Sequence, residues 1–307
     1  MIPVDLPDGE TAYQPHPGGA VFNTAIALGR LGGDVGLFSG VSTDALGEKL
    51  DTTLRQNNVS TDLLVRSDLP TTLAMVHVQN GNASYSFYDE NSAGRSVTIA
   101  DLPKIPGTCS ALFFGGISLV ARPAADAYAA LLQREHTDRV IIIDPNIRPA
   151  FVTDERSYRD RLDGMMRCSD IVKVSDEDLD WIVPAQGTLA DKAKALRQTG
   201  PSVVIVTQGA RGVTAFFGDD SLSVPALNVE VADTVGAGDT FNAGLLAGLR
   251  DMGCLTKPAI SDMSAKALHH ALSFGSKAAS ITVTRTGANP PWAKEIAGSD
   301  PEAVGAE

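Results

Sequence analysis

The sequence predicts a doubly wound α/β domain, a mostly parallel sheet with helices on both faces and a small β-sheet lid. Three observations carry this expectation. After residue 110, short continuous apolar runs alternate with amphipathic stretches, the pattern of parallel strands covered on both faces. Between about 60 and 100 the apolar period changes to two, as in a half-exposed hairpin. A composition of 43% apolar and 20% charged residues is globular and excludes disordered and fibrous classes. The 307 residues exceed one typical domain of ~150, but an α/β chain of this length is often a single domain with an insertion.

Taken in order, residues 1–17 hold Pro3, Pro7, Pro15, Pro17 and the turn pair Asp8-Gly9, and read as extended loop. Gly18-Gly19 opens a helix in which Val21, Ala25 and Leu28 share a face, ended by Arg30 and Gly32-Gly33. Residues 35–41 read as a strand. Ser42-Thr43-Asp44 caps a second helix with a Leu46, Leu50, Leu54 stripe. Residues 73–78 and 85–88 form a hairpin around the turn Asn80-Gly81-Asn82. Parallel strands are expected at 111–114, 140–143, 171–174 and 203–206, separated by helices near 123–135, 155–167, 176–182 and 188–199. A second hairpin joins 212–217 to 222–224, and helices follow at 239–252 and about 261–279. Residues 293–307 lack any period and read as a flexible tail. One domain therefore spans 1–292, with the lid inserted at about 60–100.

Charge narrows the function classes. With 25 basic and 37 acidic residues the net charge is −12, which argues against a nucleic-acid partner and against docking on an anionic membrane. Cys109, Cys168 and Cys254 lie far apart without a C-x-x-C, so neither a disulfide framework nor a zinc site is expected. A reducing cytoplasm is the natural compartment. No apolar run reaches the ~18 residues of a membrane span, and Met1-Ile2-Pro3-Val4-Asp5 has no signal-peptide pattern. Five histidines show no ligand spacing. His16 is a candidate substrate contact or a plain loop residue, and His269-His270 reads as a helix face. Trp181 and Trp292 read as packing residues.

Two segments carry chemistry. In Asp233-Thr234-Val235-Gly236-Ala237-Gly238-Asp239-Thr240-Phe241-Asn242-Ala243-Gly244, glycines bring bare backbone to a helix start. Unpaired N–H groups and the helix dipole favour an anion there. Asp239 at the same terminus can accept a hydroxyl proton. An anion cradle beside a base is what phosphoryl transfer to an alcohol requires. A close-packed turn with Asp239 as a helix cap would leave the same trace. In Pro17-Gly18-Gly19-Ala20-Val21-Phe22-Asn23, two glycines again precede a helix, and Asn23 can both donate to and accept from a polyol. No G-x-x-x-x-G-K-[ST] occurs, so a P-loop kinase is not supported.

Together the two segments resemble the signatures of the PfkB-type (ribokinase-like) carbohydrate kinases, and within that family the sequence is most similar to bacterial fructokinases. The similarity covers roughly residues 10–292. Asp144-Pro145-Asn146-Ile147-Arg148-Pro149, Lys173-Val174-Ser175-Asp176-Glu177-Asp178, Thr207-Gln208-Gly209-Ala210-Arg211-Gly212 and the closing strand Val283-Thr284-Arg285-Thr286-Gly287-Ala288 agree with it. The resemblance implies transfer of the ATP γ-phosphate to a primary hydroxyl of fructose. Asp239 would be the general base, and Gly236, Ala237 and Gly238 the anion hole. Gly18, Gly19, Asn23, Arg95, Asn146 and Arg148 would bind substrate, and Thr207, Gly209 and Gly212 the nucleotide. Asp178 would act indirectly on Mg²⁺, with a monovalent cation such as K⁺ as a further cofactor. The hairpin would be a water-excluding lid, and lids of this kind imply a homodimer.

The sequence also departs from the family. The N-x-x-E position reads Ser175-x-x-Asp178, a carboxylate on a shorter arm. Family members begin with an apolar strand ending in an Asp that holds two sugar hydroxyls. Here Met1-Ile2-Pro3-Val4 resembles the segment after that Asp, and Asp5 follows no evident strand. The resemblance thus implies a late start, poor stability and weak turnover of fructose. Other ketoses and 2-keto-3-deoxygluconate are alternative substrates. A catalytically impaired sugar-binding or regulatory protein is the alternative of another class.

Overall fold

The computed structural model describes residues 1–8, 10–79 and 82–298. The N-terminal segment is not loop: β1 (Ile2–Asp5) pairs antiparallel with β2 (Thr11–Gln14). Asp5 therefore ends a strand, but one that belongs to the lid. The first helix, α1 (Ala20–Arg30), starts after the glycine pair as expected. The expected strand at 35–41 divides into β3 (Val35–Gly36) and β4 (Gly40–Ser42), on either side of α1's apolar neighbour Leu37. Asp44 caps α2 (Ala45–Gln56), its side chain accepting from the Gly47 N–H at 2.7 Å. β5 (Val59–Ser60) and β6 (Val65–Ser67) then pair parallel with β3 and β4.

The hairpin expected from the two-residue period is β7 (Leu73–Gln79) with β8 (Asn82–Tyr88); the turn residues Asn80 and Gly81 lie outside the described residues. Met1, just before β1, meets the hairpin: the Val76 N–H donates to the Met1 carbonyl at 3.0 Å and the Met1 amino group to the Ala74 carbonyl at 2.8 Å. The lid reaches the body through Phe87, whose ring meets Phe151 edge-on at 4.4 Å.

The body is a six-stranded sheet, interleaved with helices. In chain order it comprises β9 (Ala111–Gly115), α3 (Ala124–Glu135), β10 (Val140–Asp144), α4 (Glu155–Arg167), β11 (Ile171–Ser175), α5 (Asp176–Ile182), α6 (Leu189–Arg197) and β12 (Val203–Thr207). The hairpin β13 (Val213–Phe217) and β14 (Asp220–Val224) follows, then α7 (Ala237–Asp251), α8 (Lys257–Ser261), α9 (Ala265–Val283) and α10 (Ala293–Gly298). The order across the sheet is β14-β13-β12-β11-β10-β9, with β9 to β12 parallel and β13 and β14 antiparallel. β10, β11 and β12 are buried on both faces, which is why they read as continuous apolar runs. Ile141, Ile143, Val172 and Val174 face α3 to α6; Val140, Ile142, Ile171 and Ile205 face α7, α8 and α9.

Two C-terminal expectations are corrected. The segment read as a closing strand is the end of α9 followed by a turn with Gly287 at φ 70°. α9 stays helical through Val283, and the Val283 carbonyl receives the Ala232 and Asp233 N–H groups rather than a strand ladder. The expected tail begins instead as α10, held by buried Ile296 and by the Arg285–Glu295 ion pair; residues 299–307 are outside the described residues.

The helix that carries the Gly-Ala-Gly-Asp segment is fixed by close approach. A Cβ on Gly248 of α7 would lie 2.6 Å from the Ala271 Cα of α9, and one on Gly244 2.7 Å from the Gly275 Cα. Gly248→Ala is therefore expected to cost about 1–3 kcal/mol by overpacking, despite the better helix propensity of alanine. Thermal denaturation should show the melting temperature falling by several degrees.

Candidate active site

In parallel α/β sheets ligands gather at the carboxyl ends of the strands. Here those ends are Gly115, Asp144, Ser175 and Thr207. The start of α7 faces them. Its N-cap, Gly236, sits in the left-handed region at φ 78°, and a Cβ there would come within 2.6 Å of Ala288. Only glycine meets both demands cheaply. The helix begins at Ala237, two residues earlier than the sequence suggests, which puts Asp239 inside its first turn rather than at the cap. Of the first-turn amides of α7, that of Ala237 donates to the Thr234 carbonyl at 3.2 Å, while those of Gly238 and Asp239 lie before the first i→i−4 bond of the helix, the arrangement that favours an anion.

Asp239 is buried, 9% exposed. Burial pushes its carboxyl up to about 6, reinforced by the charge of Asp144 and opposed by the Asn23 hydrogen bond and by Lys173 and Arg148. The Asn23 side chain donates to Asp239 Oδ2 at 2.8 Å. This single contact joins the two sequence segments across 216 positions. Gly18, Gly19, Asn23 and Arg95 all line one cleft of about 1430 Å³ between the lid and the body. Arg95 is held there by the Arg122 carbonyl, 3.1 Å from its Nε, and by Asp89 at 3.5 Å. His16 is exposed at the same cleft. β9, the edge strand, forms part of its floor.

Behind Asp239 lies a buried polar hub. Asp144 Oδ2 accepts from Lys173 Nζ at 3.0 Å and from the Asn242 side chain at 2.7 Å. Asp144 Oδ1 accepts from the Asn146 N–H at 3.2 Å, with Asn146 in the left-handed region at φ 45°. Arg148 is exposed, its guanidinium donating to the Ile147 carbonyl at 2.9 Å, and its charge reaches Asp239.

Asp178 proves to be a structural carboxylate as well as an acidic neighbour. Its Oδ1 accepts from the Ile147 N–H at 3.1 Å, and its other oxygen completes a capping box with Ser175 at the start of α5. Burial, and then the charge of Asp144, raise its proton affinity. Among the nucleotide candidates, Thr207 stands beside Ser175 in register and donates from Oγ1 to the Val174 carbonyl at 3.3 Å. Gly209 faces open space, whereas a Cβ on Gly212 would strike the Val224 carbonyl at 2.2 Å, so Gly212 serves the close packing of the strand-turn.

Asp144, Lys173 and Asn242 were not singled out from sequence. The signal was present: an Asp ends one apolar strand and a Lys stands inside the next, and such residues are almost never buried unpaired.

A buried carboxylate beside a helix N-terminus, at the carboxyl edge of a doubly wound sheet and under a β lid, defines a phosphotransferase that works on a hydroxyl acceptor. The comparisons narrow this class. The pfkB family carbohydrate kinase pattern matches residues 5–295, and the chain belongs to that family. It is 46% identical to a fructokinase of Rhizobium leguminosarum bv. trifolii over 270 residues, 88% of this chain and 82% of that one. It is 34% identical to a fructokinase of Klebsiella pneumoniae, over 80% of each chain. Its fold superposes on the crystal structure of fructokinase with bound ATP from Xylella fastidiosa with a TM-score of 0.88 at 25% identity, covering 97% of this chain and 94% of the other.

The two glycines at the start of α7 should respond differently to one methyl group. Gly238 is helical, and a Cβ there would meet only the Lys173 ammonium, at an ordinary 3.5 Å. Gly238→Ala should keep or raise the melting temperature while lowering turnover. Gly236→Ala should lose stability first, through its φ and the Ala288 contact. Circular dichroism melts run beside activity assays separate the two.

Asp239 gives a second check. Its folded proton affinity is raised above the unfolded value, so stability is greater below the unfolded value and falls as pH rises through about 6. Asp239→Asn should therefore melt higher than the parent at pH 8, with the difference shrinking toward pH 4. The same substitution should cut kcat at least ~10²-fold, and parent activity should fall on the acid side of about pH 6.

Proposed function

We propose that this carbohydrate kinase is a fructokinase, transferring the γ-phosphate of ATP to a primary hydroxyl of fructose. The observation that carries the reading is the Asn23–Asp239 contact: it sets a base against a sugar-binding loop at the mouth of an anion-binding helix terminus. The fructokinase relatives support fructose as the acceptor and the ATP-bound neighbour supports the donor.

In this reading fructose lies in the cleft, with Gly18, Gly19 and Asn23 beside its hydroxyls and Arg95 at the rim. ATP lies across the ends of β11 and β12, near Thr207 and Gly209. Asp239 takes the proton of the acceptor hydroxyl as its oxygen forms a bond to the γ-phosphorus. The bond from that phosphorus to the bridging oxygen breaks, and ADP leaves with the electron pair. The amides of Gly236, Ala237 and Gly238 receive the charge of the transferring group. Closure of the lid on Phe151 excludes water, which would otherwise compete as acceptor.

Among the described residues no group of His, Cys, Asp and Glu side chains could cage a metal ion. Asp144 and Asp178 already accept hydrogen bonds from the protein. These residues fit a Mg²⁺ held mainly by nucleotide phosphates and water, with Asp178 acting through water. Bound there, the ion would supply charge neutralisation for the phosphates.

The lid leaves Ile2, Tyr13 and Tyr88 exposed, at 39%, 41% and 62%. These side chains support pairing of lids in a homodimer, which sedimentation at micromolar concentration would detect.

The deciding measurement is ADP release against a panel of sugars. Fructose should give the highest kcat/KM among fructose, other ketoses, ribose and 2-keto-3-deoxygluconate. A higher kcat/KM on another member overturns the choice of sugar, and sugar binding without ADP release overturns the kinase reading for this chain.

A further inference from the structure

β11 reads Ile171-Val172-Lys173-Val174, and Lys173 takes a place on the face where Ile171 and its neighbours pack against α7. The side chain is 6% exposed. An ammonium there loses nearly all its hydration, a cost that needs a specific return. Asp144 provides part of it at 3.0 Å. The position of the charge is harder to explain by packing. A Cβ on Gly238 would be 3.5 Å from Lys173 Nζ, so the ammonium stands at the first turn of α7. That turn is the positive end of the helix dipole, where a cation is electrostatically unfavourable and an anion is favoured. A buried cation and a helix N-terminus side by side form a site that gains most when an anion enters it.

We propose that Lys173 is a positioning residue for phosphoryl transfer: a fixed buried cation that holds Asp144 in place and keeps the base Asp239 ionised beside the anion hole. The proposal rests on the kinase reading above and deepens it. The charged and polar groups that act on Asp239 come from four elements. Asn23 of α1 donates to it, Arg148 after β10 and Lys173 of β11 favour its charged form, and Asp144 of β10 opposes it. Asn242, one helical turn further along α7, ties Asp144 to the same helix. Lys173 also acts on Asp178 of α5, which places one ammonium among three buried carboxylates. Arg148 is exposed and screened by water, so Lys173 supplies the charge that solvent cannot replace.

The test compares Lys173→Met and Lys173→Arg with the parent, using whichever sugar the parent phosphorylates best, so that an error in the choice of fructose does not affect it. Lys173→Met should lower kcat at least ~10-fold with sugar KM changed less than about threefold, and should move the acid limb of the pH profile upward. Lys173→Arg should recover part of kcat and return the limb toward the parent. Because Lys173→Met strands Asp144 as a buried charge, a second comparison uses Asp144→Asn with and without Lys173→Met. The double variant lacks both charges, and its limb should lie above that of Asp144→Asn alone. If the chain turns over no sugar, carboxyl NMR titration of Asp239 reads the same shift without catalysis. An unchanged titration of Asp239 in folded Lys173→Met, or identical profiles for the single and double Asp144→Asn variants, overturns the proposal.

Discussion

The buried contact between Asp144 and Lys173 is the constraint on which the site depends. It joins the end of β10 to the middle of β11 and, through Asn242, to the first turns of α7. Losing one partner of such a pair typically costs about 3–5 kcal/mol, because the other is left charged and dry, whereas replacing both by apolar side chains is often neutral. The pair is therefore better understood as fixing geometry than as adding stability. It decides where the α7 terminus stands relative to the strand ends, and it sets the charge that surrounds Asp239.

Around this hub the packing is unusually close. Glycines at 244 and 248 let α7 lie nearly backbone to backbone on α9, and Ala27, Ala243, Ala247 and Ala278 let α1 nest against the same pair. Small residues leave little room for side-chain rearrangement, so the Asn23–Asp239 contact is held between two rigid elements rather than between loops. The same rigidity keeps a carboxylate buried with a raised proton affinity, which costs stability at neutral pH.

The lid is built differently. It is a sheet of short strands with exposed side chains, tied to the body by the Phe87–Phe151 ring contact and by Arg95. In the proposed reaction such an element would open for sugar and close against water.

The sequence by itself determined the run of apolar strands along the chain, the helices between them, the hairpin and the two glycine-led helix starts; the order of the strands across the sheet came from the tertiary structure. Each rests on local chemistry: apolar period, caps such as Asp44, and glycine where backbone must approach. It also drew attention to Asp239 at a glycine-led helix start, although a plain helix cap would leave the same local trace. It misread 1–17, where prolines mark loop but β1 and β2 pair at a sheet edge that tolerates them. It misread 283–288, where apolar β-branched residues suggest a strand but packing extends α9. Asp178's capping of α5 with Ser175 is local, within three residues, but its hold on the Ile147 amide was not legible, since that bond spans 31 positions. The Asn23–Asp239 and Asp144–Lys173–Asn242 contacts were decided by the tertiary structure alone. No local pattern encodes them, because their partners lie 29 to 216 residues apart and meet only when the sheet and the α1–α7 pair are packed.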